Sequence, residues 1–363
     1  MSLLKKSHRE MDYIRVSGKL KAFRYSIKRG HVFSQIIDRM KWHWAPKFFI
    51  VVDFPTHLDI EASASCQMRC PMCLRRSIPD IAHGTMDFDL YKKIIDEASQ
   101  RGVYSIKLSW RGEPLLNPNI VKMVKYAKDK GIKDVAFLTN GERLSEKMAI
   151  DLTEAGLDWI SFSIDGMGET YERIRWPETF DGIVKKVKFL KEYRDGKGLE
   201  KPLIRVQTIW GAVKNNPGEY FDFWEKIADK VYIIADQLRY ETASFPKNPE
   251  YICPEPWRRM VIGADGTVPN CISDYEELNP LGDVKKQSLY EIWHGEKFNK
   301  LRELIRNGKI FENKPCAMCH DAGLMYPKTV KIGNKQIKIW LYEGQEIDVS
   351  KMDARPKNKK AQD

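Results

Sequence analysis

The sequence predicts an α/β protein in which a parallel sheet is wrapped by helices and followed by a small cysteine-bearing domain. Three observations carry that reading. Apolar runs of strand length alternate with helical patterns six times, and the seven cysteines fall into two separated groups. No run of about 18 apolar residues exists, so nothing in the chain is expected to span a bilayer.

The elements follow in order. The first strand is "HLDIEAS" (His57 to Ser63). "YSIKLSW" (Tyr104 to Trp110), "DVAFLTN" (Asp134 to Asn140), "WISFSID" (Trp159 to Asp165), "LIRVQTIW" (Leu203 to Trp210) and "KVYIIADQL" (Lys230 to Leu238) supply the other five. Helical patterns such as "DLYKKIIDEASQRG", "NIVKMVKYAKDKG" and "EKMAIDLTEAG" lie between them, and several end on glycine, as helices commonly do. This alternation is the signature of a parallel sheet. Beyond it, "PEPWRRMVIGADGTVPNC" reads as a hairpin turned at "ADG", "SLYEIWHGEKFNKLRELI" as one helix, and "KIGNKQIKIWLY" as a second hairpin. The expected layout is a basic extension over residues 1–55, the alternating domain over 56–241, a cysteine domain over 242–325, and a hairpin with a charged tail over 326–363.

Charge is unevenly placed. Residues 1–55 hold twelve Lys/Arg against four Asp/Glu, and residues 351–363 hold five against two, so the two ends account for the whole formal charge of +11. The residues between are formally neutral, which excludes a nucleic-acid-binding core and puts any electrostatic partner at the termini. Within the N-terminal segment, "YIRVSGKLKAFRYSIKRGHVFSQIIDRMKWHWAPKFF" interleaves aromatics and bases at roughly helical spacing. Two readings stand: a helical extension packed on the main domain, or an interfacial helix for an anionic membrane surface or a charged substrate. The N-terminus lacks the apolar core of a signal peptide, and a cytoplasmic location is expected.

The first cysteine group, "SASCQMRCPMCLRR", spaces Cys66, Cys70 and Cys73 as C-x3-C-x2-C. Structural zinc takes four Cys or His ligands, and no fourth is near. Three thiolates instead suit a [4Fe-4S] cluster whose fourth iron is open to an outside ligand. The second group, Cys253, Cys271, Cys316 and Cys319, can close a tetrahedral zinc site or hold a fully ligated cluster.

With this triplet following a strand, the chain resembles the radical S-adenosylmethionine (SAM) enzymes. The resemblance implies a partial (β/α)6 TIM-like barrel, six units rather than eight, with ligands at the C-terminal strand ends. It also implies that SAM chelates the open iron and is cleaved to a 5'-deoxyadenosyl radical, with a flavodoxin- or ferredoxin-type reductant supplying the electron. Met72 stands where the family usually has an aromatic residue, and is implied to pack on adenine. "WRGEP" occupies the place of the Gly-Gly-Glu motif: Arg111 replaces the first glycine, while Gly112 and Glu113 remain to receive the SAM ammonium. Asn140 and Ser163 are implied at the ribose, Arg175 at the SAM carboxylate, and Gln207 as a further hydrogen-bond donor to SAM.

The second group resembles the C-terminal SPASM extension in its shorter twitch form, with a β-hairpin, a helix and one auxiliary [4Fe-4S] cluster on Cys253, Cys271, Cys316 and Cys319. The likeness extends to the twitch-bearing alcohol dehydrogenases of aminocyclitol antibiotic pathways. It implies an oxidoreductase that removes hydrogen from a secondary alcohol carbon of a carbohydrate-like small molecule. Arg239, Tyr240 and Glu241, after the sixth strand, are the candidate catalytic residues: a guanidinium to stabilise a deprotonated hydroxyl and a carboxylate to take its proton. A peptide- or protein-modifying maturase is the second reading, with a peptide as substrate. A sugar epimerase is the third, but three plus four ligands use all seven cysteines unless one position belongs to His320 or water, and Tyr240 remains as a candidate hydrogen donor.

Overall fold

The computed structural model describes residues 32–76, 84–237, 245–332 and 335–356. A seven-stranded sheet organises the chain, in the order β6-β5-β4-β3-β2-β1-β7. Its strands are β1 (His57–Ile60), β2 (Ser105–Lys107), β3 (Asp134–Thr139), β4 (Trp159–Ser163), β5 (Leu203–Ile209), β6 (Lys230–Ile234) and β7 (Arg259–Ile262). Every pairing is parallel. The helices α1 (Val32–Lys47), α2 (Phe88–Gln100), α3 (Ile120–Asp129), α4 (Glu146–Glu154), α5 (Gly168–Ile174), α6 (Phe180–Gly196) and α7 (Pro217–Trp224) precede or separate the first six strands. This is the partial-barrel α/β architecture the sequence predicts, with a C-terminal cysteine domain appended.

Local chemistry explains where the helices start and stop. Asp87 accepts from the amides of Asp89 and Leu90 at the head of α2, and Ser145 and Thr179 cap α4 and α6 in the same manner. In α2 the buried residues Tyr91, Ile94, Ile95 and Ala98 recur at the spacing that makes one helical face apolar. Just past α2, α3 and α4, Gly102, Gly131 and Gly156 take a positive φ that a side chain would resist. One face of the sheet is almost wholly enclosed, with Leu58, Ile60, Ile106, Val135, Phe137, Ile160, Phe162, Ile204 and Val206, while the other carries Asp59, Lys107, Ser161, Arg205 and Gln207 among apolar residues.

Two expectations are corrected. "RMVI" does not pair within a local hairpin: as β7 it joins β1 in register from His57↔Arg259 to Ile60↔Ile262, adding a seventh strand to the sheet. The turn at Gly263–Gly266 survives, closed by Gly263 N–H to the Thr267 carbonyl at 2.8 Å. The strand after it, β8 (Thr267–Val268), pairs instead with β9 (Gly282–Asp283). The expected single helix at Ser288 onward is two, α8 (Leu289–His294) and α9 (Glu296–Arg306). They break at Gly295, whose ψ of 161° is extended. A short helix, α10 (Lys314–Ala317), carries Cys316, and an antiparallel hairpin of β10 (Met325–Ile332) and β11 (Lys335–Tyr342) follows.

Candidate active site

The cysteine triplet leaves the C-terminal end of β1 on a loop clamped by backbone contacts. Ser63 bridges Thr85, the Glu113 amide donates to the Ser65 carbonyl at 2.8 Å, and the Arg75 guanidinium donates to the Ala64 carbonyl. Gly112 lies so close beneath this loop that a Cβ there would collide with the carbonyl oxygens of Ser63 and Ser65. A glycine at this position is thus required by the approach of two chain segments, whatever else its backbone binds.

The three thiols share one environment. Burial pushes the Cys66 thiol up to about 12, and the charges of Glu113, Cys70 and Cys73 push in the same direction. Burial raises Cys70 to about 11, against the pull of the Arg175 guanidinium. Asn140 Nδ2 points at Cys66 Sγ from 3.7 Å, and Arg175 Nη1 at Cys70 Sγ from 3.6 Å. Polar donors aimed at buried sulfurs are what a thiolate-held group needs, because they stabilise the negative sulfur.

The other expected residues gather at the same strand ends. Ser163 on β4 and Gln207 on β5 stand side by side, the Gln207 amide donating to Ser163 Oγ at 3.4 Å. Glu113 is buried, and burial lifts its carboxyl up to about 7. Its oxygens already accept from Thr139 Oγ1 at 2.6 Å, the Asn140 amide at 2.8 Å and the Leu115 amide at 3.0 Å. Much of its capacity is therefore used to hold the end of β3 in place. Met72 packs near Ile174, Ile347 and Val349, where the chain following β11 crosses α5. Arg239, Tyr240 and Glu241 lie outside the described residues.

Several residues were not expected here. Asp165, at the end of the fourth predicted strand, accepts from Arg175 Nε at 2.8 Å and from the Ile209 amide at 2.9 Å. It fixes the guanidinium and ties β4 to β5. Gln67 donates to Asn140 Oδ1 at 3.2 Å and Glu142 Oε2 at 2.8 Å, so it orients the amide that faces Cys66. The one signal for Asp165 was its acid at a strand end; Gln67 left none beyond its place beside Cys66.

The second cysteine group forms a distinct site. Burial pushes Cys271 and Cys319 well up, and each feels the charge of Cys316 and Cys253. Asn313 Nδ2 and Asn270 Nδ2 donate toward Cys316 Sγ at 3.1 and 3.7 Å, and the Ser273 amide toward Cys271 Sγ at 3.4 Å. Four thiols, one buried and three half-buried, with amide donors aimed at two of them, fit a fully ligated iron-sulfur cluster. His320 is buried and pairs with Asp321, Nε2 to Oδ1 at 3.2 Å.

A polar and aromatic joint connects the two sites. Trp110 Nε1 donates to the Ile272 carbonyl, next to Cys271, at 2.8 Å. Its ring lies near Tyr275, with Leu74, the neighbour of Cys73, in the same cluster. Arg111, the departure from the Gly-Gly-Glu spelling, forms a two-pronged pair with buried Glu61 (2.9 and 2.7 Å) and reaches the Tyr275 carbonyl at 3.0 Å. It is a side chain that locks the end of β1 to the cysteine domain.

Known proteins match this layout part by part. Residues 60–199 match the Radical SAM superfamily, and residues 253–320 match SPASM, an iron-sulfur cluster-binding domain. The chain carries a radical SAM domain and a SPASM domain. Its first domain binds a [4Fe-4S] cluster and SAM, and its SPASM domain binds auxiliary iron-sulfur. A "Tungsten-containing aldehyde ferredoxin oxidoreductase cofactor-modifying protein" of Pyrococcus furiosus is 26% identical over 69% of this chain and 84% of its own length. A GTP 3',8-cyclase of Desulforamulus reducens is 31% identical over 46% of this chain, and the match spans only half of the cyclase. Among solved structures, BtrN in complex with AdoMet and 2-DOIA has a TM-score of 0.53 at 20% identity, covering 73% of this chain and 93% of BtrN. Streptococcus suis SuiB bound to precursor peptide SuiA has a TM-score of 0.54 at 13% identity, covering 80% of this chain and 76% of SuiB. At these identities the two structures establish the fold alone.

Proposed function

We propose that this radical SAM enzyme is an oxidoreductase that converts a secondary alcohol of a carbohydrate-like small molecule to a ketone. What supports the reading is the cysteine count: three on the loop after β1 and four in the C-terminal domain, enough to ligate two clusters with none left over. With all seven as ligands, an epimerase that returns a hydrogen atom from a spare thiol would have no such thiol. When bound, the two clusters supply reductive cleavage of SAM to methionine and a 5'-deoxyadenosyl radical, and a one-electron acceptor. The chain's own residues do the rest. Arg175, held by Asp165, would bind the SAM carboxylate; Asn140, Ser163 and Gln207 would hold its ribose side; the Gly112 backbone and Glu113 would receive its ammonium; Met72 would face the adenine. Glu241 would take the alcohol proton, and Arg239 would steady the deprotonated oxygen, with Tyr240 beside them.

The balance is one hydrogen atom to the adenosyl carbon, one proton to the base and one electron to the auxiliary site per alcohol oxidised. Incubation with candidate polyols deuterated at a single carbinol carbon tests this. Deuterium in 5'-deoxyadenosine together with one equivalent of ketone is expected. Label in 5'-deoxyadenosine with an inverted, unoxidised alcohol would overturn it. The fold shared with SuiB, solved bound to a precursor peptide, supports a second reading, a maturase acting on a peptide or protein. In that case label would leave a peptide carbon and no polyol would react.

A further inference from the structure

The helix α1 is mounted inside out. Its buried positions include Gln35, Asp38 and Ala45, while Ile36, Ile37, Met40, Trp44, Phe48 and Ile50, along the helix and just past its end, are 42 to 58% exposed. Those six make up most of the ten large apolar side chains that stand exposed among the described residues, so they form a patch rather than scatter. At ~100° per residue, the five from Ile36 to Phe48 fall within an arc of roughly 120°. Lys41 borders this arc on one side and Arg39 and His43 on the other, all exposed. Lys47 lies over the Trp44 ring at 4.8 Å, and Trp44 stacks on Phe48 at 5.6 Å. Asp38, the one acid of the helix, is turned inward.

The inner face explains why the helix cannot simply roll over to bury the stripe. Trp42 lies under Arg258 at 4.1 Å and meets His57 edge-on at 6.1 Å, and Phe49 packs on Trp257 at 5.2 Å. Arg306 holds the Phe49 carbonyl, and Trp293 the Val52 carbonyl at 2.8 Å. The stripe is fixed in its outward direction.

We propose that this face is a docking surface for an anionic lipid bilayer, on which α1 lies in the plane of the interface. The charge pattern selects that occupant. A stripe whose arc is apolar but for Lys47 at its C-terminal end, and basic along both borders, complements a surface that is apolar in depth and negative at its rim. The sequence just before it, residues 1–31, adds nine Lys/Arg against two Asp/Glu. A second copy of the chain would set basic borders against basic borders across a two-fold axis. No described helix is long and apolar enough to cross a membrane. Because α1 touches His57 and Arg258, at the starting ends of β1 and β7, the membrane would grip the end of the sheet away from the Cys66–Cys73 loop. The mouth of the barrel then faces the aqueous side, and the helix tethers the enzyme rather than feeding it.

Flotation of the full-length reconstituted protein with phosphatidylcholine vesicles, with and without phosphatidylglycerol, tests this. Binding is expected only with the anionic lipid, weakened by high salt. Met40→Ser with Trp44→Ser is expected to lower it by about tenfold or more, while iron content and SAM cleavage stay at the parent level. Arg39→Gln with Lys41→Gln is expected to reduce it on anionic vesicles alone. Absence of binding to either vesicle, or unaltered flotation of the Met40/Trp44 variant, would overturn the proposal. So would self-association in light scattering that this variant abolishes, which would assign the face to a second copy.

Discussion

Replacing Arg111 by methionine removes a guanidinium from the joint between β1 and the cysteine domain. Glu61 is fully buried, and its carboxylate accepts from Arg111 Nε, Nη2 and backbone amide and from the Ala264 amide at 3.1 Å. The variant leaves two backbone donors and no counter-charge around that carboxylate, and also frees the Tyr275 carbonyl and the nearby Glu277. Stranding one partner of a buried pair costs about 3–5 kcal/mol. Equilibrium denaturation of the anaerobically reconstituted protein measures the loss directly. Arg111→Gly, which restores the Gly-Gly-Glu spelling, is expected to lose at least as much, since the glycine brings no charge. Glu61→Gln combined with Arg111→Met should be more stable than Arg111→Met alone, because no charge is then stranded. A loss below about 1 kcal/mol for Arg111→Met, or strictly additive single effects, would refute the reasoning.

Gly112→Ala forces the triplet loop away from β2 and is expected to cost about 1–3 kcal/mol and to lower iron bound at the first site, read by iron analysis. Arg175→Met strands buried Asp165 and removes the donor facing Cys70, and is expected to weaken SAM binding at least about tenfold, 1.4 kcal/mol, in calorimetric titration. Asp236 is buried and accepts from the amides of Gly211 and Ile347 at 2.8 and 3.0 Å, and burial lifts its carboxyl from 3.8 to about 6. The native chain therefore holds this proton more tightly than the unfolded chain, and stability should fall as pH rises from about 4 to about 6, by up to about 3 kcal/mol. Asp236→Asn should flatten that interval in denaturation midpoints measured at both ends; an unchanged slope would count against it.

The six predicted strands were legible because each is a short run between turn residues with one wholly enclosed apolar face, and such runs admit few other readings. The seventh was not. "RMVI" is too short to announce a partner, and its pairing with β1 bridges about two hundred residues of sequence, a tertiary choice that local pattern read as a hairpin. The site divides in the same way. Cysteine spacing and the residues at strand ends can be read linearly, since strand ends in such sheets converge. The work of Asp165 on Arg175, Gln67 on Asn140 and Glu61 on Arg111 depends on which strands become neighbours. Glu113 shows the converse: an acid expected to face a ligand is drawn largely into holding β3, because its burial leaves it within reach of Thr139 and two backbone amides.

The claim on which the functional reading depends is that the three-thiol loop holds a cluster with one coordination position left for SAM. Electron paramagnetic resonance of the dithionite-reduced protein, reconstituted to about eight irons, reports on that position. The expected result is a signal that changes shape when SAM is added, and a Cys66→Ala, Cys70→Ala, Cys73→Ala protein whose remaining auxiliary signal ignores SAM. A wild-type spectrum indifferent to SAM, with the three cysteines intact and iron bound, would contradict it.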